Sequence, residues 1–228
     1  ILCLFTAAAS TQGGGRPAVG DFIAMNDLGA IYSVPSFGGQ PSLLHDLPLS
    51  RMSGARLMME ATNLDFFVGL PLGSVPRILY VSGAPGGPVV TFASFPPSAG
   101  GFMGFALDED GSVIAALSSD LYRMDYQTRS VVSFGLNLPY PIDGVAVDLD
   151  TGDYFVPSYA GQGIFRIGRT SRAVSAFASG FRPVAIDVEP RTGDVAAADP
   201  EGGVLRVGRT GTLTRISPAP FFAAGIRV

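Results

Sequence analysis

Residues that commonly build catalytic centres and metal sites are scarce in this sequence. Its 228 residues include one cysteine, Cys3, one histidine, His45, and no tryptophan. A single cysteine excludes an intrachain disulfide framework and any metal site with several cysteines. A single histidine excludes a site with several histidine ligands, and any Ser-His-Asp arrangement must use His45. These absences favour a protein that is not an enzyme.

Positive charge is also limited. Charged residues make up 15% of the chain, all 15 basic residues are arginine, and the 19 acidic residues give a net charge of −4. Nucleic-acid binding depends on clustered cations, so this balance argues against a nucleic-acid partner. No apolar run approaches the roughly 18 to 20 residues that span a membrane, so we expect no membrane span.

Glycine and proline are abundant, at 30 and 18 residues, and they punctuate an internal repeat. The segment 164–170, Ile-Phe-Arg-Ile-Gly-Arg-Thr, recurs 40 residues later as Val-Leu-Arg-Val-Gly-Arg-Thr at 204–210. A Thr-Gly-Asp turn precedes each copy, at 151–153 and at 192–194. A repeat of this length determines the fold class more firmly than local propensity does.

Each repeat contains four short apolar runs separated by turn residues, which predicts a four-stranded antiparallel meander. The runs are almost continuously apolar, as in Tyr154–Val156, so both faces of each sheet are expected to be covered. Radial stacking of small sheets provides this double burial. The sequence therefore predicts an all-β fold, a β-propeller of four-stranded antiparallel blades.

The two ends of the chain predict that the propeller is a closed ring. The first repeat begins at what matches the second strand of a blade, and residues 224–228 resemble a first strand. We expect this C-terminal strand to pair with 22–26 of the N-terminal blade, which leaves no free sheet edge at the seam. The five predicted blades are 21–46 with 223–228, 55–92, 102–135, 143–177 and 182–216. The alternative is a fragment of a six-bladed ring.

The N-terminal residues resemble the end of an export signal. An apolar run at 1–5 is followed by small residues of the kind that a signal peptidase accepts, which makes 1–10 the predicted signal remnant. Residues 11–19 are then a flexible lead-in, and 20–228 form a single propeller domain. The expected location is secreted or periplasmic. The alternative is that the apolar run forms an edge strand.

The repeats resemble those of NHL-type propellers. The resemblance rests on residues 20–34 and on 144–167, and it covers roughly 20–228. This family groups loosely with streptogramin lyases and with the SMP-30/gluconolactonase-like proteins, and it implies a propeller that is commonly six-bladed. Streptogramin lyases depend on histidines, which His45 alone cannot supply. The SMP-30 lactonases use a Glu, an Asn and an Asp in the central channel, and no residues of this chain match that set one by one.

Four carboxylates occupy equivalent positions at the end of the first strand in successive repeats: Glu60, Asp108, Asp148 and Asp187. A ring of carboxylates at one mouth of a channel is suited to Ca²⁺ or another divalent cation, which takes several oxygen ligands. Alternatively, each carboxylate accepts backbone N–H groups in the turn to the next strand. Recurrence in every repeat favours the second interpretation, because a binding site usually breaks the symmetry.

Residues that depart from the repeat are better candidates for function. They lie in the loops that enter the first strands and in the loops that join the second and third strands. The candidate ligand-binding residues are Asn26, Asp27, Asn137, Tyr140, Asp143, Tyr159, Arg182 and Asp199. Tyrosine and arginine anchor partners through large contact areas and forked hydrogen bonds. The alternative is that these residues belong to ordinary exposed loops. His45, at the end of an outer strand, is expected at the surface.

Three functions are compatible with these patterns. The first is a secreted, non-catalytic propeller that binds a macromolecule or a small ligand through its loop face, with no cofactor. The second is a metal-dependent hydrolase of the SMP-30-like lactonase kind, with Ca²⁺ or another divalent ion at the channel. The third is a structural module of a longer extracellular protein. The absence of a nucleophile paired with a base favours the first.

Overall fold

In a computed structural model, the chain is described over residues 3–6, 22–25, 30–34, 40–47, 56–59, 65–70, 75–99, 101–201 and 203–217. It divides into two compact units, Ile1–Ser98 and Ala99–Val228, and each unit is described by itself. The regular structure is almost entirely β-strand, in antiparallel four-stranded sheets that follow the chain order.

The described residues of the first unit form two sheets. Sheet 1 consists of β1 (Cys3–Thr6), β2 (Phe22–Met25), β3 (Ala30–Val34) and β4 (Ser42–Asp46). Sheet 2 consists of β5 (Arg56–Met59), β6 (Phe66–Leu70), β7 (Arg77–Val81) and β8 (Val89–Ser94). A short 3-10 helix, Pro97–Ala99, follows. The core includes Ile31 and Leu44 of sheet 1 and Phe66, Val68 and Val81 of sheet 2.

His45 is buried between these two sheets, so the expectation of a surface position was wrong. It is 5% exposed, and its Nε2 donates a hydrogen bond to the carbonyl oxygen of Ser82 at 2.6 Å. The neighbouring Leu44 carbonyl accepts the N–H of Gly86 at 3.2 Å. The outer strand of sheet 1 is therefore covered by the loop that follows β7, and this cover buries the imidazole.

Three sheets are formed by the part of the second unit that the structure describes. Sheet 3 consists of β9 (Phe102–Leu107), β10 (Val113–Leu117), β11 (Asp120–Met124) and β12 (Val131–Ser133). Sheet 4 consists of β13 (Ala146–Val147), β14 (Tyr154–Ser158), β15 (Gly163–Ile167) and β16 (Val174–Ser179). Sheet 5 consists of β17 (Ala185–Val188), β18 (Val195–Asp199), β19 (Gly203–Val207) and β20 (Leu213–Ser217).

The continuously apolar runs are explained by packing on both faces of sheet 4. Successive side chains of a strand point to opposite faces. Tyr154 and Val156 of β14 therefore pack in a core with Ile114 of sheet 3, whereas Phe155 packs in a core with Leu205 of sheet 5. All five residues of β14 are buried. The prediction that both faces of the sheets are covered is confirmed for sheet 4.

A β-bulge recurs where the third strand pairs with the fourth. The register shifts after Ile31, Ile78, Ile164 and Val204, each the second residue of its third strand. The equivalent residue of sheet 3 is Leu121, which is not β-branched, and the β11–β12 pairing has a continuous register. A bulge increases the local twist of a strand pair, so these four sheets have an added twist at the same place.

The C-terminal strand was predicted to pair with 22–26, and in the structure another strand takes the place beside 22–25. Strand β2 is hydrogen-bonded on one side to β1 and on the other to β3, so neither of its edges is available. The inner position of sheet 1 is thus filled by Cys3–Thr6, as the edge-strand interpretation of the apolar run predicts. Residues 223–228 lie outside the described residues. Closure into a ring and the number of blades remain predictions.

Helical structure in the described part of the chain offers no segment of the length and hydropathy needed to cross a membrane.

Candidate functional site

Loops of sheets 4 and 5 bring together most of the residues that sequence singled out for ligand binding. The loops that enter β13 and β17 lie at the same end of their sheets as the turns that join β14 to β15 and β18 to β19, because the strands are antiparallel. Tyr140, Asp143, Tyr159, Arg182 and Asp199 all lie in or beside these four connections.

In sheet 4, Asp143 fixes the turn that carries Tyr159. The side chain of Asp143 accepts the backbone N–H of Tyr159 at 2.7 Å, and its own N–H donates to the Pro157 carbonyl at 2.8 Å. The Ser158 hydroxyl donates to the carbonyl of Pro141 at 2.7 Å. The entering loop and the turn are therefore joined into one unit, from which the Tyr159 side chain projects, 40% exposed.

In sheet 5, the buried carboxylate of Asp199 has the corresponding role. One of its oxygens accepts the N–H of Arg182 at 3.0 Å and the other accepts the N–H of Glu201 at 2.8 Å. Asp199 is 6% exposed, and a buried carboxylate requires such donors. Its position at the end of β18 therefore holds the loop before β17 and the turn after β18 in a single arrangement.

The Arg182 guanidinium joins the two sheets. It lies 5.3 Å from the centre of the Tyr159 ring, and its Nη1 is 3.4 Å from the Tyr159 hydroxyl and 3.3 Å from Glu201 Oε1. The hydrogen bond to Tyr159, together with the charge of Glu201, raises the pKa of Arg182. The guanidinium is therefore a permanent cation stacked on an aromatic face, the geometry that arginine favours at recognition surfaces.

Tyr140 borders the same turn, whereas Asn137 does not join it. Tyr140 is 45% exposed, and its ring lies so close to the backbone of Gly161 that a Cβ atom there would be 3.0 Å from Cδ2. Asn137 has a left-handed backbone, with φ of 48°, and its side chain donates to the carbonyl of Gly135 at 3.4 Å. It stabilises its own loop. Asn26 and Asp27 lie outside the described residues.

A groove of about 440 Å³ opens beside Arg182, between sheets 4 and 5. Its apolar residues are Phe181, Leu205 and Leu213, and its polar residues are Gln162, Arg182, Asp199, Glu201 and Arg215. Sequence reasoning did not single out Gln162, Phe181, Leu205, Leu213 or Arg215. Leu205 and Arg215 sit inside the repeat, where they face each other across β19 and β20, so no departure from the pattern marked them.

The carboxylates proposed for a cation do not meet in the described part of the chain. Asp187 lies within β17, opposite Ala196, instead of following the strand, and Glu60 is outside the described residues. Asp148 accepts the N–H of Asp150 at 3.0 Å and the Thr151 hydroxyl at 2.8 Å. Among the described residues, no three His, Cys, Asp or Glu side chains are grouped closely enough to hold a metal ion.

Asp108 is buried in a network that joins sheets 3 and 4. It is 4% exposed, it accepts the Tyr154 hydroxyl at 3.0 Å, and it lies 3.5 Å from Arg123 and 3.4 Å from Arg169. Burial, followed by the charge of Asp108 and its hydrogen bond, raises the pKa of Tyr154 to about 12. The turns that follow β9 and β13, where Asp108 and Asp148 lie, are at the opposite end of the sheets from Tyr159 and Arg182. Asp108 also accepts the N–H of Glu109 at 2.9 Å, so Asp108 and Asp148 both accept backbone N–H groups in turns, as in the second interpretation. The contacts of Asp108 between the sheets were not predicted.

Solved structures resemble this chain in fold, although no protein-family model and no curated protein matches it. A streptogramin B lyase has a TM-score of 0.66 and 14% identity, over 94% of this chain and 72% of the lyase chain. A structural genomics protein of unknown function from Bacteroides thetaiotaomicron has a TM-score of 0.67 and 14% identity, over 93% of this chain and 63% of its own. A chain of a nidogen–laminin complex has a TM-score of 0.66 and 10% identity, over 83% and 72%.

The TM-scores show a similarity of fold, and at identities of 10 to 14% they show nothing about function. The streptogramin B lyase and the nidogen–laminin chain are β-propellers, so the resemblance supports a propeller fold for this chain. The narrower assignment to NHL-type or SMP-30-like propellers stays a resemblance of sequence. This chain has the fold of a β-propeller.

Proposed function

We propose that this protein is an exported, non-catalytic propeller that binds a ligand through the loop face of sheets 4 and 5. The carrying observation is the pair of exposed tyrosines, Tyr140 and Tyr159, beside the stacked guanidinium of Arg182. Tyrosine and arginine dominate the energetics of many interfaces. Binding residues are often placed on loops that a rigid scaffold positions.

The rigidity of the loops supports this proposal. Asp143 and Asp199 each hold an entering loop against the neighbouring turn by accepting backbone N–H groups. A surface that is ordered before binding loses less conformational entropy when a ligand arrives. The backbone positions of Tyr159 and Arg182 are therefore set before a ligand binds.

The test compares capture by the wild-type chain with capture by a site variant. The site variant combines Tyr140→Ala, Tyr159→Ala and Arg182→Ala. A matched control combines Tyr126→Ala, Arg129→Ala and Val132→Ala, which lie in and after the turn joining β11 to β12 of sheet 3; Tyr126 and Val132 are 38% and 52% exposed. The measurement is mass spectrometry of molecules retained by the immobilised protein from concentrated culture medium.

We expect the site variant to lose the specific ligand at unchanged melting temperature, and the control to retain it. Truncating an anchor residue typically costs more than about 2 kcal/mol of binding free energy, so three truncations reduce capture by more than tenfold. Equal capture by all three proteins would contradict the proposal.

Export is proposed from residues 1–10 alone. Because Cys3–Thr6 is paired in sheet 1, signal cleavage after residue 10 would remove one strand of that sheet. N-terminal mass spectrometry of the protein recovered from each cell fraction tests the proposal, and recovery from the cytoplasm alone would contradict it.

A further inference from the structure

We infer that the groove between sheets 4 and 5 binds a small molecule with an apolar body and one carboxylate, and that Arg215 receives the carboxylate. This inference rests on the proposed function, because the groove shares Arg182 and Glu201 with the loop face. It adds the chemical class of the ligand and a residue, Arg215, that lies in a regular strand.

The shape of the groove fits a small molecule. Its volume of about 440 Å³ lies within the range of about 300 to 1,000 Å³ that is usual for small-molecule sites. Phe181 and Leu205 are each 7% exposed and form an apolar floor, while Leu213, 41% exposed, forms one wall. Contact with these three side chains removes apolar surface of a ligand from water.

Of the charged side chains that line the groove, all but Arg215 have a partner within the part of the protein that the structure describes. Both oxygens of Asp199 accept backbone N–H groups, and Arg182 is paired with Glu201. Arg215 lines the same groove from β20, where its side chain is exposed, and no carboxylate among the described residues pairs with it. The guanidinium of Arg215 is therefore the cation that a ligand can engage without breaking an existing pair.

The placement of Arg215 beside the floor requires an amphiphilic ligand. Arg215 is the cross-strand partner of Leu205, so its side chain leaves the sheet on the same face as the apolar floor. A planar guanidinium fork matches a carboxylate in a bidentate geometry. A molecule whose apolar part lies on Leu205 and Phe181 thus carries its anionic end to Arg215.

The acidic residues of the groove favour a single negative charge on the ligand. Asp199 and Glu201 line the same space, and like charges at short distance are repelled. A phosphate monoester carries nearly two negative charges at neutral pH and meets more repulsion than a carboxylate. An uncharged analogue leaves Arg215 without a partner. The ligand class is therefore a monoanionic carboxylate with an apolar body.

Saturation-transfer NMR with three probes tests this inference: 4-phenylbutyrate, its amide 4-phenylbutanamide, and phenyl phosphate. The proteins are wild type, Arg215→Gln, Arg215→Lys and the control Arg129→Gln. Arg129 lies in a turn of sheet 3, and within the described part of the chain its side chain makes no ion pair either. We expect the carboxylate to bind about tenfold more tightly than the amide, since a hydrogen bond to a charged group contributes about 1.5 kcal/mol or more. It should also bind more tightly than the phosphate, whose second negative charge is repelled by Asp199 and Glu201.

Arg215→Gln should weaken binding of 4-phenylbutyrate about tenfold and leave the amide unchanged, Arg215→Lys should restore part of the loss, and Arg129→Gln should have no effect. Equal binding of acid and amide by the wild type, or no effect of Arg215→Gln, would overturn the inference. Neither outcome affects the loop-face proposal, which depends on the variant of Tyr140, Tyr159 and Arg182. If the variant of Tyr140, Tyr159 and Arg182 captures its ligand as the wild type does, and the wild type still prefers the carboxylate over the amide, the groove binds its ligand independently of the loop face.

Discussion

Tyr154 and Asp108 form a hydrogen bond between sheets 4 and 3 at the level of single residues. Tyr154 is fully buried, and its hydroxyl donates to a carboxylate that is itself 4% exposed. A buried carboxylate that loses a donor retains its desolvation penalty. Removal of the hydroxyl is therefore expected to lower the free energy of unfolding by more than the net contribution of one hydrogen bond.

The substitution Tyr154→Phe is expected to reduce the free energy of unfolding by about 1 to 3 kcal/mol, because it leaves one oxygen of Asp108 without this donor. Urea unfolding followed by circular dichroism measures the change. Tyr140→Phe removes the same hydroxyl from a side chain that is 45% exposed, and this control should change the free energy by less than about 0.5 kcal/mol. Equal effects of the two substitutions would contradict the assigned role.

The pH dependence of stability in alkaline solution is a second test of the role of Tyr154. The pKa of Tyr154 is about 12 in the folded protein and about 10 in the unfolded chain. The stabilisation of the neutral phenol is complete below pH 10 and is lost as the pH rises through 12. The unfolding midpoint of the wild type should therefore fall more steeply between pH 10 and 12 than that of Tyr154→Phe.

Within the second unit, arginines in the turns between third and fourth strands connect sheet 4 to sheet 3 and sheet 5 to sheet 4. Arg169, after β15 of sheet 4, pairs with Glu109 and lies 3.4 Å from Asp108, both of sheet 3. Arg209, after β19 of sheet 5, pairs with Asp150 of sheet 4 at 3.0 Å. Each arginine passes over a glycine of its own sheet.

In sheet 4 this glycine is Gly152, which lies beneath Arg169. The position requires a left-handed backbone and a residue without a Cβ atom. Its φ is +74°, which glycine adopts at low cost, and a Cβ atom on it would lie 2.7 Å from Cδ of Arg169. The Thr-Gly-Asp turn that marks the repeat in the sequence thus provides both the backbone conformation and the space for the arginine of the following turn.

Gly152→Ala is expected to be more destabilising than Gly135→Ala by about 1 kcal/mol. Both positions have positive φ, at +74° and +69°, so both substitutions carry the backbone penalty, but a Cβ on Gly135 meets nothing within 4 Å. The added cost at Gly152 arises because Arg169 must leave its carboxylate partners. Chemical unfolding of both variants measures it.

Repeating the pair of substitutions in an Arg169→Ala background isolates the contact. The extra cost at Gly152 should disappear there, since no side chain remains above the turn. Persistence of the difference would assign it to the turn itself.

At the scale of the whole molecule, stability is expected to fall in acid, because several carboxylates of the second unit have lowered pKa values. The N–H of Thr128 lowers the pKa of Asp125, and a hydrogen bond from Thr192 lowers that of Glu189. Burial acts to raise the pKa of Asp110, but hydrogen bonds from Ser112 and the charge of Arg123 outweigh it.

The sign of the effect follows from the direction of these shifts. Each group ionises more readily in the folded protein than in the unfolded chain, whose values are near 4. Its contribution is present above pH 4 and is lost as the pH falls through the lower folded value. The urea midpoint should therefore decrease from pH 5 to pH 2.5, and less steeply in a double variant Asp125→Asn, Glu189→Gln. Parallel curves for the two proteins would contradict this prediction.

Much of the fold was predictable from sequence because strands and turns are encoded locally. Tyr154–Val156 indicated burial on both faces, and the structure explains it by packing on two sheets. Five of the eight candidate ligand-binding residues lie in loops at one end of sheets 4 and 5. The order of antiparallel strands determines at which end of a sheet each loop lies, so this position was predictable. The position of His45 was mispredicted, since the Ser82 loop that covers it lies 37 residues away in sequence. Asp187 was mispredicted because its strand extends further than the repeat suggested.

The repeat, its four strands and the turns between them were readable from the sequence alone, because short apolar runs, β-branching and glycine placement act within a few residues. The contacts between neighbouring sheets became visible only in the folded chain. Arg182 stacks on Tyr159 of the preceding sheet, and Leu205, Arg215 and Phe181 border one groove. These contacts depend on the packing of one sheet against the next, and the sequence of a single strand does not determine the distance between two packed sheets.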